Sequence, residues 1–438
     1  MLSAGWVLLA AWLQLVRGSG LGAADVVWAE DGGVFLDDAL RTTTWQALTA
    51  PHAGYLQLVA RLAAEPVSLL PPTRMATGLA VVAALVVGLV SLLVWFASAR
   101  VLAAPWARVL ATALVPLLPQ AGFEVNASVA NLHWYLAYAA FWILLASPRS
   151  TRGRIAGAAV GALAVLSDPL AVLVLPAALV GAALRHRVAL ATPAAMLLAL
   201  VPQVHAYSQT TTMAWAETRL GDLPRIYGLR VLTSGAVGDR ALGPVYEQFG
   251  TPVVALVSAG VLAVLAALAA RSDRAARLTA AVAIEISVLY LCVPVGVRGG
   301  VVGGTGALLD RDPFSLGGSR YTIVPILLLW VAVLVLADST TRRWRGGRAL
   351  PVAAGIAALL VAQLLGDWAG ASVRSRGPVW VADVQRAAAI CREPRHLRPP
   401  QVAPVFADPP GADEVVITVA PQVGADPFGV VLPCSVLS

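Results

Sequence analysis

Four carboxylates stand close together near the start of a chain that is otherwise mostly apolar. They are Glu30, Asp31, Asp37 and Asp38, within the segment Trp28–Asp38. An acid held beside a hydroxyl acts as a general base when its pKa is tuned, and Glu30 or Asp31 is a candidate for that role. The adjacent pair Glu30 and Asp31 could instead bind a divalent cation through carboxylate oxygens. Asp37 and Asp38 are predicted to be surface groups. The plain alternative is a solvated rim without chemistry.

A second set of polar and aromatic residues stands beside or inside apolar segments. Such groups are costly there unless they are paired or face a cavity, so we predict that they bind a substrate. Plainer roles remain open, namely an interfacial aromatic belt for the His-Trp pair and a helix N-cap for the aspartate before a proline. The set is His52, Tyr55, Asn131, His133, Trp134, Asp168, Arg320 and Tyr321.

Arg320 follows Gly317, Gly318 and Ser319 at the entry to a late apolar segment. A guanidinium presents a planar fork of donors that suits phosphate. The alternative is an arginine that extends to lipid headgroups. We favour phosphate binding, because an Arg-Tyr pair at this depth can hold a lipid phosphate while the ring packs on the carrier.

The composition predicts an all-α polytopic membrane protein. Hydrophobic residues make up 58% of the chain and charged residues 13%, whereas soluble domains carry about 25% charged residues. The net charge of +7 comes entirely from arginine, since lysine is absent. These arginines lie in short loops and not on one soluble face, so no nucleic-acid partner is predicted.

Apolar runs of spanning length predict about eleven transmembrane helices. Arginines in the short loops, among them Arg100, Arg149 and Arg342, place the N-terminus in the cytoplasm and the C-terminus outside the cell membrane. The predicted spans are 1–16, 74–99, 106–122, 127–147, 154–167, 169–184, 188–205, 251–270, 277–297, 321–338 and 349–366.

The predicted organisation is a transmembrane module, 1–366, followed by a small extracytoplasmic α/β tail, 367–438. Within the module, loop 17–73 carries the acids and two interfacial amphipathic helices, the second running from His52 to Leu70. Cys391 and Cys434 lie in the tail, where disulfides persist, and are predicted to pair around a strand-like run, 414–420. Cys292 is predicted to be an apolar filler of a span.

The order and sidedness of these motifs resemble the GT-C superfamily of membrane glycosyltransferases, in its bacterial members. The resemblance rests on Trp28-Ala29-Glu30-Asp31, Gly54-Tyr55-Leu56, Asn131-Leu132-His133-Trp134 and Ser319-Arg320-Tyr321. It implies an inverting transferase without a required cofactor, apart from the open question of a divalent cation. The implied partners are a polyprenyl-phosphate-linked sugar donor, a glycan or glycolipid acceptor of the cell envelope, and membrane lipid. The family's loop acid maps to Glu30 or Asp31, of which we expect Asp31 to be the base with Glu30 as second choice, and its donor-phosphate arginine maps to Arg320.

Two other functions remain open from the sequence. A transporter or lipid flippase would use acids within spans, of which Glu285 is the clearest; however, no internal repeat is evident, and transporters are often built from repeats. A structural subunit of an envelope-assembly complex would leave the acids inert. The transferase needs Asp31, His133 and Arg320 to line one cavity, whereas a transporter needs a midplane pocket around Glu285.

Overall fold

The structure is a computed structural model that describes residues 2–18, 21–122, 124–185, 189–209, 220–298, 320–343, 349–368, 374–399, 401, 404, 410–421 and 428–437. Most of the described chain is helical. The longer helices are Leu2–Val16, Leu58–Ser68, Met75–Ser98, Pro105–Leu117, Leu132–Ala146, Thr151–Ser167, Pro176–Arg185, Ala191–Ser208, Asp239–Arg271, Arg274–Arg298, Ile323–Arg343, Ala349–Trp368 and Trp380–Arg392.

Each of the eleven apolar segments contains a helix, and several of these helices are long enough to cross a membrane. By length and composition, five helices of the described chain qualify: Pro72–Ser98, Asp239–Arg271, Arg274–Gly296, Arg320–Arg343 and Ala349–Gly366. Ser3–Val16, Leu132–Ala146 and Pro169–Arg185 are apolar but shorter. The chain is therefore a largely helical protein of membrane type. The figure of eleven spans stays a prediction.

Hydrogen bonds between loops define two ends of the helical bundle. At one end, Arg17 donates to the carbonyl of Leu118 at 2.8 Å, where two helices finish. At the other, Arg185 donates to the carbonyls of Leu145 and Arg100 at 3.1 and 2.8 Å. Arg17 and Leu118, where the first loop begins and a predicted outward span finishes, thus lie together at one end. The assignment of the two ends to the two sides of a membrane stays a prediction.

The buried core of the bundle is built around two helices. Every residue of Leu132–Ala146 is buried, and Ile323–Arg343 is buried along almost its whole length. Asp338 holds the far end of the second helix, because its carboxylate accepts from the backbone N–H groups of Ala103 and Ala104 at 3.0 and 2.9 Å. This end of Ile323–Arg343 is thereby fixed relative to the loop that contains Ala103 and Ala104.

The first loop folds into short helical pieces. The backbone widens to a π-helical turn at Asp31–Leu36 and continues as Asp37–Arg41. Thr43 and Gln46 form a reciprocal capping box that starts Thr44–Thr49. The predicted second amphipathic helix is shorter than expected. His52 and Tyr55 pair across a tight turn, and the helix begins only at Leu58.

The C-terminal segment packs directly on this loop. Its strands Glu414–Thr418 and Gly429–Pro433 pair antiparallel, with Val416 opposite Val431. Ala420, just past the first strand, forms a parallel bridge with Trp28, and its N–H donates to the carbonyl of Val27 at 3.1 Å. The acidic segment therefore continues the small sheet at its edge, although the two parts are nearly 400 residues apart in sequence.

Cys391 and Cys434 form a disulfide, the pair expected from the sequence. The bridge joins the Trp380–Arg392 helix to the end of the second strand. Closing a loop of 43 residues stabilises the folded state by about 4 kcal/mol in the chain-entropy model.

Replacing Cys391 and Cys434 together by Ser is expected to loosen the C-terminal segment. We expect a lower melting temperature in detergent and faster tryptic cleavage at Arg392 and Arg395. Cys292→Ser is the matched control, because Cys292 is a free cysteine within the Arg274–Arg298 helix. Equal cleavage rates in the double variant and in this control would contradict a stabilising role.

Candidate functional site

Asp31 is buried at the start of the π-helical turn, with 1% of its surface exposed. Its Oδ1 accepts from the hydroxyl of Ser128 at 3.0 Å and from the N–H of Ala130 at 2.8 Å. Both bonds end on Oδ1 and neither on Oδ2. Loop 124–131 therefore fixes the orientation of this carboxylate and leaves its second oxygen outside the pair of bonds.

The bonds from loop 124–131 continue into the helical core. The side-chain amide of Asn131 donates to the Ser128 hydroxyl at 3.0 Å and to the carbonyl of Glu124 at 3.2 Å. The indole of Trp134 donates in turn to the side-chain carbonyl of Asn131 at 3.0 Å. Asn131 thus connects the acidic segment to the aromatic residues of the Leu132–Ala146 helix.

Glu30 makes the contact that brings the two ends of the site together. Its Oε1 lies 3.2 Å from Nη1 of Arg320, 290 residues further along the chain. The backbone N–H of Arg320 donates to Oε1 of Glu124, also at 3.2 Å. Glu30, the second choice as base from the sequence, thus pairs with the guanidinium that is predicted to bind phosphate.

The two adjacent acids differ in their affinity for protons. Burial raises the pKa of Asp31 to about 6, although the charge of Arg374 and the bonds from Ala130 and Ser128 oppose the rise. Burial acts on Glu30 in the same direction, but the charge of Arg320, a backbone hydrogen bond, the charge of His52 and the hydrogen bond from Arg320 together outweigh it, so the pKa of Glu30 is lowered. At neutral pH, Glu30 therefore remains charged and paired with Arg320. Asp31 has a pKa of about 6, close to neutral pH, as a general base requires.

Aromatic rings connect Arg320 to the remaining predicted residues. Tyr321 lies beside Arg320 and has its ring centroid 5.7 Å from that of Trp134. His133 stacks at 4.2 Å on Trp134, and its Nε2 lies 4.0 Å from Oδ2 of Asp168. Asn131, His133, Trp134, Asp168 and Tyr321 therefore form one connected cluster with the acids.

Asp168 has a structural bond as well as this position in the cluster. Its Oδ1 accepts from the N–H of Leu170 at 2.9 Å and caps the turn that begins at Pro169. Its Oδ2 accepts from the hydroxyl of Tyr290 at 3.4 Å. The N-cap expected as the plain alternative is thus present, and Tyr290 is a neighbour that the sequence pattern did not indicate.

His52 and Tyr55 lie in the tight turn beside the acids. Burial lowers the pKa of His52, and the charge of Arg61 adds to this, whereas Glu30 opposes it. His52 is therefore predominantly neutral at pH 7. Its ring meets the ring of Phe35 edge to face at 6.3 Å, which places the turn against the π-helical segment.

The prediction that Asp37 and Asp38 are surface groups is wrong for Asp37. Asp37 is buried and its Oδ1 accepts from the N–H of Val431 at 2.6 Å, on the edge of the second strand. Asp38 is half-buried and pairs with the buried Arg61 at 2.7 Å. Both acids therefore hold the loop to its neighbours and do not form a solvated face.

Gly32 and Gly33 allow the second strand to approach the acidic segment. A Cβ on Gly32 would lie 2.6 Å from Cγ1 of Val27, and one on Gly33 would lie 3.1 Å from the carbonyl oxygen of Gly429. Side chains at these positions would push the strand away from the π-helical turn. The glycines following Asp31 are thus required by packing.

Three further features considered from the sequence are not part of this cluster. Gly317, Gly318 and Ser319 lie outside the described residues. Glu285 is exposed on the surface of its helix. For the divalent cation suggested at Glu30 and Asp31, the described part of the chain contains no group of three or more His, Cys, Asp or Glu arranged to hold a metal.

Comparisons with protein-family models, with curated proteins and with solved structures found no match.

Proposed function

We propose that the protein is an integral membrane glycosyltransferase that moves a sugar from a polyprenyl-phosphate donor to an acceptor of the cell envelope outside the cytoplasm. The observation that carries the proposal is the pairing of Glu30 with Arg320, beside the buried Asp31. A base and a phosphate-binding cation are the two groups that such an inverting displacement requires. Their convergence from opposite ends of the chain is what the resemblance to GT-C transferases led us to expect.

In the proposed reaction, the donor phosphate binds Arg320 and displaces Glu30 from the guanidinium. The acceptor hydroxyl attacks the anomeric carbon from the face opposite the phosphate, and Oδ2 of Asp31 takes its proton. The bond between the sugar and the phosphate breaks, and the carrier leaves as a polyprenyl phosphate whose negative charge Arg320 stabilises. Trp134 and Tyr321 supply apolar ring surface beside this path.

The most direct experiment compares the envelope glycans of cells with and without the gene by mass spectrometry. Loss of one glycan substituent, restored by the wild-type gene but not by an Asp31→Asn gene, is the expected result. Identical glycans in both strains would contradict the proposed function. Purified protein with radiolabelled hexosyl- or pentosyl-phosphate polyprenols then identifies the class of donor.

The pKa of Asp31 predicts the pH dependence of transfer. A base must be deprotonated to accept a proton, so kcat/KM is expected to fall about tenfold per pH unit below about 6 and to level off above it. Asp37 is the matched control, because burial also raises its pKa to about 6 although it lies against the strand. The acidic limb of the pH profile should persist in Asp37→Asn. If the limb disappears in that variant, it belongs to Asp37 and not to Asp31.

The transporter alternative receives less support from the described geometry. A transport site was expected in a midplane pocket around Glu285, yet that side chain lies on the exposed surface of the Arg274–Arg298 helix. The buried polar groups of the site instead cluster where helices begin and end. Proteoliposomes that translocate a labelled polyprenyl lipid without transferring its sugar would favour the flippase.

A further inference from the structure

Arg374 is a buried arginine that the proposed reaction does not use. It lies just after the Ala349–Trp368 helix, in a short turn at Arg374–Arg376, with 6% of its surface exposed. Its Nη1 donates to the carbonyl of Asn126 at 2.6 Å and its Nη2 to the carbonyl of Ala127 at 3.3 Å. A buried guanidinium is costly unless its charge is compensated.

The compensating charge is Asp31. Arg374 and Asp31 are both buried, and their charges interact, while the other charge acting on Asp31 is the repulsive one of Glu30. The loop that Arg374 grips supplies both hydrogen bonds to the Asp31 carboxylate, through Ser128 and Ala130. Arg374 thus acts on Asp31 by two routes, through the loop and through the electric field.

The surrounding contacts hold Arg374 in place. The N–H of Leu21 donates to the carbonyl of Ser375 at 3.1 Å, and the N–H of Trp380 donates to the carbonyl of Asp25 at 2.9 Å. The Trp380 indole also donates to the carbonyl of Pro72 at 2.7 Å. The turn that carries Arg374 is therefore joined to the segment before the acids. The helix that begins at Trp380 is joined to the same segment and to Pro72, just before the Met75–Ser98 helix.

We propose that Arg374 is a positioning residue of the carboxylate site: it fixes loop 124–131 around Asp31 and keeps that carboxylate charged. The part of the inference that concerns catalysis rests on the proposed function. The part that concerns the charge state of Asp31 does not, and it is tested separately.

The first test follows protonation of Asp31 by infrared spectroscopy of the purified full-length protein in detergent. The carboxylic acid band that disappears in Asp31→Asn is assigned to Asp31, and its midpoint is followed with pH. In Arg374→Gln we expect the midpoint to move up by roughly one pH unit, because a neighbouring positive charge is lost. Arg374→Lys retains the charge and should stay near the wild-type midpoint.

Arg376→Gln is the matched control, because Arg376 is exposed and lies two residues away in the same turn. A midpoint in Arg374→Gln equal to that in Arg376→Gln would overturn the proposal. If Arg374→Gln does not fold, the double variant Arg374→Gln/Asp31→Asn decides. Recovery of folded protein supports the charge pairing, since the uncompensated buried carboxylate is gone, and failure to recover contradicts it.

The second test measures sugar transfer against pH. In Arg374→Gln the acidic limb of kcat/KM should move to higher pH together with the infrared midpoint, and Arg374→Lys should restore it. A purely structural arginine would lower the rate without moving the limb. If the wild-type protein transfers no sugar, the proposed function fails, while the infrared titration still judges Arg374.

Discussion

Asp31→Asn is expected to reduce sugar transfer by about 100- to 10,000-fold, the range over which general base catalysis contributes to a rate. The amide retains the shape of the carboxylate, and its carbonyl oxygen can still accept from Ser128 and Ala130, so both hydrogen bonds should persist although the charge that compensates Arg374 is lost. What is lost is the ability to take a proton. The measurement is kcat/KM for transfer from a radiolabelled polyprenyl-phosphate sugar.

Asp25→Asn provides the matched control for this variant. Asp25 belongs to the same loop, but its side chain is exposed. Its substitution should leave transfer unchanged. A fully active Asp31→Asn would reject Asp31 as base, and a loss confined to Glu30→Gln would assign the role to the neighbouring acid.

Arg320→Gln is expected to lower kcat by about 100- to 1,000-fold, the usual cost of removing one preorganised donor from a developing negative charge. The glutamine cannot supply the positive charge or the planar fork, and it also leaves Glu30 without its ionic partner. Arg320→Lys keeps a charge but not the fork, so an intermediate rate is expected. Single-turnover kinetics with excess enzyme separate donor binding from the chemical step.

Arg74→Gln tests the alternative that Arg320 only contacts lipid headgroups. Arg74 is an exposed arginine in a short turn at the entry to the Met75–Ser98 helix, much as Arg320 precedes Ile323–Arg343. An arginine that merely anchors a helix should be dispensable at both positions. If Arg320→Gln and Arg74→Gln both transfer sugar at the wild-type rate, Arg320 has no part in the mechanism.

The positions of the helices could be predicted from the sequence because they depend on local composition. Long apolar runs bounded by arginine, proline and glycine are enough to predict a helix, and each predicted span contains one. Helix starts inside the first loop could not be predicted as well. His52 was expected to open a helix that begins at Leu58, because the turn between His52 and Tyr55 depends on contacts that a sequence pattern does not contain.

Part of the candidate site could be predicted, because a charged residue beside an apolar span is energetically costly unless it is paired or has a function. Glu30, Asp31 and Arg320 are such residues, and the sequence alone indicates them as candidates. Arg374 is one of many tail arginines, and nothing local indicates that it lies against Asn126. Asp37 was misjudged for the same reason: its partner is the backbone of Val431, which any residue could provide.

The dependence of the acidic segment on the C-terminal strands has a consequence for biosynthesis. Trp28 and Asp37 leave the ribosome early, yet the backbone groups that they pair with, at Ala420 and Val431, are synthesised near the end of the chain. A nascent protein arrested before these strands emerge would contain every candidate catalytic side chain without the framework that orders them. The proposed activity would therefore require the completed chain.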